Sequence, residues 1–241
     1  MLKFSKNSEG SMTLKKIITA SILSIFLSLP AFAQNLEAEN KIQTRIDTVG
    51  VNLLNANKIG KRIVFAYDNS AKKKFLAEDK TISKRQIVVY ENTYKYIQTD
   101  DELAAMLARE ISIAVKSFNG MWGGTIDSLE VAAAPKKAEI VADKRAVDYL
   151  VKAGYNPLAV IVFIHKTCPQ KRFDLIGRHN LTSKRLARVY EYITYKYPEY
   201  LQDNEYINNE YYQNSLLTSV GNRKMLEEKV ITGSKKELKY E

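Results

Sequence analysis

The stretch that decides the fold is DELAAMLAREISIAV, residues 101–115. Apolar residues recur in it every three or four positions, which predicts an amphipathic helix that buries one side. Thr99, with Glu102 three residues later, matches a capping box and marks the start of this helix. Asp100 and Asp101 suit the positive end of the helix dipole. The predicted buried arc consists of Leu103, Leu107, Ile111, Ala114 and Phe118.

Three other residues of this helix lie close to the buried arc. At about 100° per residue, Glu110 falls at the edge of the arc. Ile113 and Arg109 lie farther from the arc than Glu110 does, on the same side of the helix and one turn apart from each other. The helix therefore carries a glutamate, an arginine and an isoleucine where its apolar face meets its polar face.

The remainder of the chain predicts a mainly helical body with a small sheet in the N-terminal third, which is an α+β fold. The strands are predicted where β-branched and aromatic residues cluster, and the helices where apolar residues recur at helical spacing. The predicted strands cover residues 61–67 and 85–90, and the other helices cover residues 36–58, 136–153, 158–166 and 182–195.

The helix over residues 136–153 places a carboxylate in line with apolar residues. Glu139 shares one face with Ala142, Ala146 and Leu150, so it points toward the predicted core. The opposite side of the same helix is predicted to be solvated, and it carries the lysines at positions 136, 144 and 152.

The N-terminus is typical of a secretory signal peptide. Lys15 and Lys16 precede an apolar run over residues 17–29, and Ala31-Phe32-Ala33 forms a small-x-small cleavage pattern. We therefore expect cleavage after Ala33 and a periplasmic or secreted protein, with an uncleaved N-terminal anchor as the alternative. Removal of residues 1–33, which hold four lysines and one glutamate, lowers the formal net charge from +10 to +7.

The positive charge is compatible with weak contact to anionic membrane surfaces, but no nucleic-acid partner is expected. Lysine and arginine are scattered over the predicted helix faces, and no motif that interleaves arginine with aromatic residues occurs. The predicted organisation is a signal peptide (1–33), one domain (34–200), and a helical C-terminal extension that ends in a polar tail (201–241).

Four motifs occur in a fixed order over roughly residues 40–200. They are Asp100-Asp101-Glu102-Leu103-Ala104, then Arg109-Glu110-Ile111-Ser112-Ile113, then Glu139-Ile140-Val141-Ala142-Asp143 with the following residues 146–157, and last His179 with Thr182 and Arg185. Together they resemble the HtpX-like zinc metallopeptidases (peptidase family M forty-eight), in their periplasmic, BepA-like form. The first motif resembles the entry to the active-site helix of that family, and the other three match its HExxH, ExxAD and HPxTxxR motifs. Asn180 stands where the last motif usually has proline.

The resemblance implies a gluzincin-type domain whose metal site has been lost. Glu110 matches the general base, and Glu139 matches the third zinc ligand. Arg109 and Ile113 match the two histidine ligands, although isoleucine has no lone pair and arginine stays protonated. Asp143 is then a structural residue, and His179 and Arg185 flank the cleft. We expect no cofactor, and zinc only if the family site still functions.

The histidines and the single cysteine offer no clear replacement for the lost ligands. His165 falls in an apolar helix and is predicted to be a core or boundary residue. His179 is either a structural hydrogen-bonding residue or, less simply, a zinc ligand. Cys168 precedes a proline at a predicted helix end, which favours a packing role over a nucleophile.

The substitutions suggest how the site is stabilised without zinc. Glu110 and Glu139 would face each other as like charges, which is unfavourable unless a positive group lies between them. We therefore predict that Arg109 pairs with Glu139 and that Ile113 fills the space of the second histidine. The alternative is that Arg109 reaches solvent and Glu139 pairs with a lysine.

Three functions remain open at this point. The first is an inactive peptidase relative that binds a peptide or an envelope protein. The second is an active metalloendopeptidase with a non-standard zinc site, in which case the chain is an enzyme. The third is a structural envelope protein.

Overall fold

The computed structural model describes residues 36–70, 86–117, 135–168 and 180–233. The chain divides into two compact units, residues 1–44 and 45–241. In the first unit the described residues, 36–44, are helical, with an exposed ion pair between Lys41 and Glu37. The predicted signal segment lies outside the described residues. Across the described segments, none of the helices combines the length and the apolarity that crossing a bilayer requires.

The described elements are mainly helices, and the fold is α+β. Two strands follow the first helix, and the elements described after them are all helical. In chain order the elements are α1 (residues 36–56), β1 (Val64–Asp68), β2 (Gln86–Tyr90), α2 (Glu91–Tyr94), α3 (Asp100–Ser117), α4 (Pro135–Lys152), α5 (Ala159–Thr167), α6 (Thr182–Lys196), α7 (Glu199–Gln202) and α8 (Glu210–Ile231).

The predicted sheet is present as two parallel strands. Phe65 of β1 is level with Ile87 of β2, and Asp68 is level with Tyr90. All residues of β2 after Gln86 are buried, whereas β1 buries only Phe65. A strand buried on both faces reads as a continuous apolar run, which is why Ile87 to Tyr90 show no alternation.

Gly50 sets the approach of α1 to β1. A Cβ atom at this position would lie 2.4 Å from the Phe65 ring, so only glycine lets the ring pack this closely on the helix. Farther along the same face, Leu53 is fully buried. The tight contact anchors the sheet to α1.

Helix α3 forms the centre of the core, as predicted from its sequence. It packs against α4 and α5, and the arc residues described by the structure are fully buried: Leu103, Leu107, Ile111 and Ala114. Phe118 lies outside the described residues. Helix α5 is buried along nearly its whole length, which matches its apolar sequence.

The predicted cap of α3 is confirmed and extends to a buried ion pair. Glu102 N–H donates to Thr99 Oγ1 at 3.2 Å, and Glu102 Oε2 accepts from the backbone N–H of Gln98 at 2.9 Å. Lys166 Nζ of α5 lies 2.8 Å from Glu102 Oε1. The cap therefore also ties α3 to α5.

One surface prediction is wrong. The sequence pattern predicts Lys144 on the solvated side of α4, but this lysine is only 8% exposed. The sequence pattern of α4 alone describes an isolated helix, whereas α3, α5 and α6 all pack against it. A helix surrounded in this way buries more than one face.

The C-terminal helix α8 packs against α6 and α5. Asn209 caps it, because its side chain accepts a hydrogen bond from Tyr212 N–H. The inner face is formed by Tyr212, Ser215, Ser219 and Leu226. Helix α8 therefore belongs to the same unit as α3 and α4.

Candidate functional site

The candidate site begins with two adjacent residues in the middle of α3. Arg109 is 5% exposed and Glu110 is 2% exposed, so both charged groups are removed from water. Burial of a charge is costly unless a partner and hydrogen bonds compensate for it. The partners of Arg109 and Glu110 therefore decide whether this part of the core is stable.

Two acidic residues on α4 and one arginine on α6 complete the cluster. Glu139 and Asp143 lie one helical turn apart and face α3, where they are 5% and 1% exposed. Arg185 enters from α6 and is also 5% exposed. The resemblance implies that Arg185 flanks a cleft, but the structure places its side chain in the core.

The predicted contact between Arg109 and Glu139 is confirmed, but it is the longest of three. Arg109 Nη2 lies 3.8 Å from Glu139 Oε1. The same guanidinium approaches Glu110 Oε1 to 3.1 Å through Nη1, and Asp143 Oδ1 to 2.9 Å through Nε. Arg109 thus interacts with all three carboxylates, and Asp143 is its nearest partner.

Asp143 is the shared acceptor of the two arginines. Arg185 binds it side-on, with Nε donating to Oδ2 at 2.7 Å and Nη2 donating to Oδ1 at 2.8 Å. Arg185 Nη1 also lies 3.1 Å from Glu139 Oε1. Bidentate pairs of this kind are among the strongest hydrogen-bonded contacts in proteins. The structural role predicted for Asp143 therefore has a geometric basis.

The cluster keeps both arginines charged. Burial and the neighbouring Arg185 lower the pKa of Arg109, but the carboxylates of Asp143 and Glu110 outweigh both effects and raise it overall. Burial likewise lowers the pKa of Arg185, whereas Asp143 and the other nearby acidic groups raise it to a greater extent. Neither side chain can supply a neutral nitrogen to a metal ion.

Asn180, just before α6, holds Glu139 in place. Its backbone N–H donates to Glu139 Oε2 at 2.8 Å, and its side-chain Nδ2 donates to the same oxygen at 3.0 Å. Nδ2 also reaches the backbone oxygen of Lys136 at 2.7 Å. A proline at this position would have no N–H to donate. The departure from the motif at residue 180 was visible in the sequence, but its contact with Glu139 was not.

The residues present do not fit a zinc site of the kind the motifs imply. Arg109 holds a positive charge beside the carboxylates, and Ile113, half-buried one turn later, offers no ligand atom. Within residues 36–70, 86–117, 135–168 and 180–233, no three His, Cys, Asp or Glu side chains are grouped so that they could hold a metal ion. His179 lies outside the described residues.

Of His165 and Cys168, only Cys168 has a described contact with the cluster. His165 is a boundary residue, as predicted, and its ring makes an edge contact with Tyr211 at 6.2 Å. Burial lowers the pKa of His165. Cys168 is half-buried, and its Sγ accepts a hydrogen bond from Arg185 Nη1 at 3.0 Å. The thiol therefore makes a polar contact with Arg185, which the packing role predicted for Cys168 did not include.

A separate cavity of about 310 Å³ lies near the start of α3. Asp101 forms one wall, and its carboxylate accepts a hydrogen bond from Asn156 N–H at 3.0 Å. The pKa of Asp101 is raised by burial and by the neighbouring acidic groups, although its hydrogen bonds lower it. The cavity is lined by Asp101, Gly154, Tyr155, Asn156, Glu199, Tyr200, Asp203 and Glu205, a set that contains no lysine or arginine.

Comparison of the chain with models of known protein families, with curated proteins and with solved structures finds no match. The likeness to zinc metallopeptidases therefore depends on the sequence motifs.

Chemically, the described cluster is a set of buried ion pairs in which two arginines lie among three carboxylates. The Glu110 carboxylate is engaged by Arg109 Nη1 at 3.1 Å.

Proposed function

We propose that this protein is a catalytically inactive relative of the HtpX-like zinc metallopeptidases, with a gluzincin-type domain, that acts in the periplasm or outside the cell by binding a peptide or an envelope protein. The observation that carries the proposal is the position of the Arg109 guanidinium. It lies within 3.8 Å of Glu110, Glu139 and Asp143, the residues that match HExxH and ExxAD.

The charge of Arg109 accounts for the loss of the metal. In an active zinc site, the cation compensates for the buried glutamate ligand, and histidines supply neutral nitrogen. Here two guanidinium groups compensate for three carboxylates, and Asn180 donates two hydrogen bonds to Glu139. A zinc ion in addition would meet like charge and would lack two ligands.

The proposal that this protein binds a peptide is supported by the acidic cavity beside Asp101. A concave surface with a few polar groups is the usual form of a ligand site. Its carboxylates and tyrosine rings suit a cationic side chain, because such groups attract ammonium and guanidinium ions. A peptide that presents arginine or lysine is therefore the partner chemistry that the described residues favour.

Metal analysis tests the inactive assignment. We expect the mature chain, purified without a metal-affinity tag, to contain far less than one zinc per molecule and to leave unfolded protein substrates intact. Chelator should leave its melting temperature unchanged. One bound zinc per chain, together with proteolysis that disappears in Glu110→Gln, would show instead an active metalloendopeptidase.

Restoring the two histidines tests the relationship to the peptidases. We expect the Arg109→His, Ile113→His double variant to be less stable than the parent without metal, and to regain stability on binding one zinc. A matched pair on the exposed side of α8, Met225→His with Lys229→His, has the same spacing but lies on a helix that does not face Glu139. Equal zinc affinity in both variants would indicate that the core site lacks the ancestral geometry.

Peptide binding separates a binding protein from a structural one. We expect short peptides rich in arginine to bind in a salt-dependent manner, and acidic peptides of equal length not to bind. The Glu199→Gln, Asp203→Asn double variant should weaken binding without unfolding the protein, because both residues are exposed. Absence of any peptide binding would favour the structural envelope role.

A further inference from the structure

The outer face of α8 carries a row of exposed residues at alternating spacings of three and four. Three of these residues are apolar: Leu217 is 74% exposed, Val220 45% and Ile231 77%. The other two, Lys224 and Glu227, are charged and are also exposed. At 100° per residue, all five lie within a strip about 80° wide. We call this row the outer seam: Leu217, Val220, Lys224, Glu227 and Ile231.

The outer seam is not needed to hold α8 in the fold. The opposite side of the helix packs on α5 and α6 through Tyr212, Ser215, Ser219 and Leu226. Spacing of three and four residues over several turns is the pattern by which one helix packs along another. A helix that carries this pattern on its exposed side has a second face suited to a helical partner.

Gly221 shapes the same face. It lies in the middle of α8, and a Cβ atom there would have no neighbour within 4 Å. Glycine weakens a helix interior relative to alanine, and nothing within the described unit requires it at this position. Because glycine has no side chain, Gly221 leaves a gap beside Leu217, Val220 and Lys224, and we call this gap the depression. In helix packing, four residues at this spacing form the hole that receives one side chain of the partner.

We propose that the outer seam is the interface of a homodimer, in which the α8 helices of two copies pack antiparallel. The twofold axis passes between Lys224 and Glu227. Val220 then lies opposite Ile231 of the second copy, and Lys224 lies opposite its Glu227. Each pair occurs twice, as a twofold interface requires. Ile231 of each copy enters the depression beside Gly221 of the other.

Charge favours a second copy as the occupant. In the proposed register the two ion pairs between Lys224 and Glu227 lie at the centre of the interface. The two apolar pairs between Val220 and Ile231 lie on either side of them. If one helix were shifted by seven residues along the other, Leu217 would lie opposite Glu227 and Val220 opposite Lys224. Charged groups would then face apolar ones. An anionic lipid surface fits poorly, because Glu227 and Glu228 are both exposed on this helix.

The interface is small, so the dimer should be reversible. A contact along one helix falls at the low end of protein interfaces, below about 1,200 Å². We expect the mature chain to pass from monomer to dimer as its concentration rises through the micromolar range. The proposal is independent of the inactive-peptidase proposal, since α8 carries none of the matched motifs.

Charge reversal tests the register. In sedimentation equilibrium, Lys224→Glu and Glu227→Lys should each weaken association by about tenfold or more, since like charges then face each other. The double variant should restore it to within about threefold of the parent, because the pairs re-form with exchanged signs. Lys229→Glu makes the same charge change off the seam, and it should leave association unchanged.

Steric variants test the depression. Ile231→Asp should abolish the dimer, and Gly221→Ala should weaken it by filling the space that Ile231 occupies. All of these positions are exposed, so circular dichroism should show the parent fold in every variant. A chain that is monomeric throughout the micromolar range would overturn the proposal. So would a dimer that survives Ile231→Asp, or one that the double charge reversal fails to restore.

Discussion

Arg109 places one positive charge among three buried carboxylates. Its three carboxylate partners come from α3 and α4, and they are nearly inaccessible to water. The net value of a buried ion pair relative to apolar packing is small, but removal of one partner leaves the other charges uncompensated. The residue is therefore more important to the fold than a surface arginine would be.

We expect Arg109→Ala to lower the free energy of unfolding by about 3–5 kcal/mol, the usual cost of breaking a buried ion pair. Urea unfolding monitored by circular dichroism measures this. Arg62→Ala removes an exposed arginine, and it should change stability by no more than about 0.5 kcal/mol. If the free energy of unfolding falls by the same small amount in both variants, the buried ion-pair cluster does not stabilise the fold.

His165 should make the protein less stable in mild acid. Burial lowers its pKa below the ordinary value, so the unfolded chain binds the proton more readily than the folded one. The stability contributed by the neutral form is complete above about pH 6.5. It declines as the pH falls from there toward the lowered pKa of the folded state.

A comparison of the parent with His165→Gln isolates this effect. Between pH 7.5 and pH 5, the free energy of unfolding of the parent should fall more than that of the variant, which has no imidazole at this position. Urea unfolding at several pH values gives both curves. Parallel curves for the two proteins would mean that His165 is solvated in the folded state.

At the scale of elements, two helical glycines have opposite roles. Gly50 on α1 meets the ring of Phe65, whereas Gly221 on α8 faces open space. The sequence places both in helical patterns and does not distinguish them, since the difference lies in what each helix packs against.

The same substitution should therefore have opposite effects at the two positions. Gly221→Ala should stabilise the monomer by about 0.5–1 kcal/mol, because alanine favours a helix interior. Gly50→Ala should destabilise the fold by about 1–3 kcal/mol, because its methyl group overlaps the Phe65 ring. Thermal unfolding at low protein concentration compares them, and Phe65→Leu should partly rescue Gly50→Ala. A gain in stability at Gly50 would contradict the close contact.

At the scale of the whole molecule, α8 is part of the core and not a separate tail. Tyr212 is 2% exposed, and its helix packs on α5 and α6. We expect Tyr212→Ala to lower the free energy of unfolding by about 3–5 kcal/mol, as for other large aromatic residues in cores. Thr218→Ala, on the exposed side of the same helix, should have little effect.

Unfolding of the whole chain in a single transition would support the assignment of α8 to the core. Near-ultraviolet and far-ultraviolet circular dichroism should give one transition at the same denaturant concentration for both probes. An early transition confined to α8, with little loss in Tyr212→Ala, would instead indicate that the C-terminal helix folds independently.

The elements were predictable where local pattern and tertiary packing agree. The bounds of α3 and α4 follow from apolar spacing, and the Thr99 cap follows from residue types. The burial of Lys144 was not predictable, because helices distant in the sequence enclose it. At the site, the Arg109 contact with Glu139 followed from charge, whereas the closer contact with Asp143 required the relative placement of α3 and α4.

The sequence by itself determined the helices, the small sheet, the carboxylates at Glu110 and Glu139, and the presence of arginine and isoleucine at positions 109 and 113. Only the tertiary structure decided that Asp143 is the shared acceptor of both arginines, that Asn180 holds Glu139, and that α8 leaves a patterned face exposed. The reason is physical: periodicity and residue chemistry act over a few turns, while ion-pair geometry depends on how helices far apart in the chain pack together.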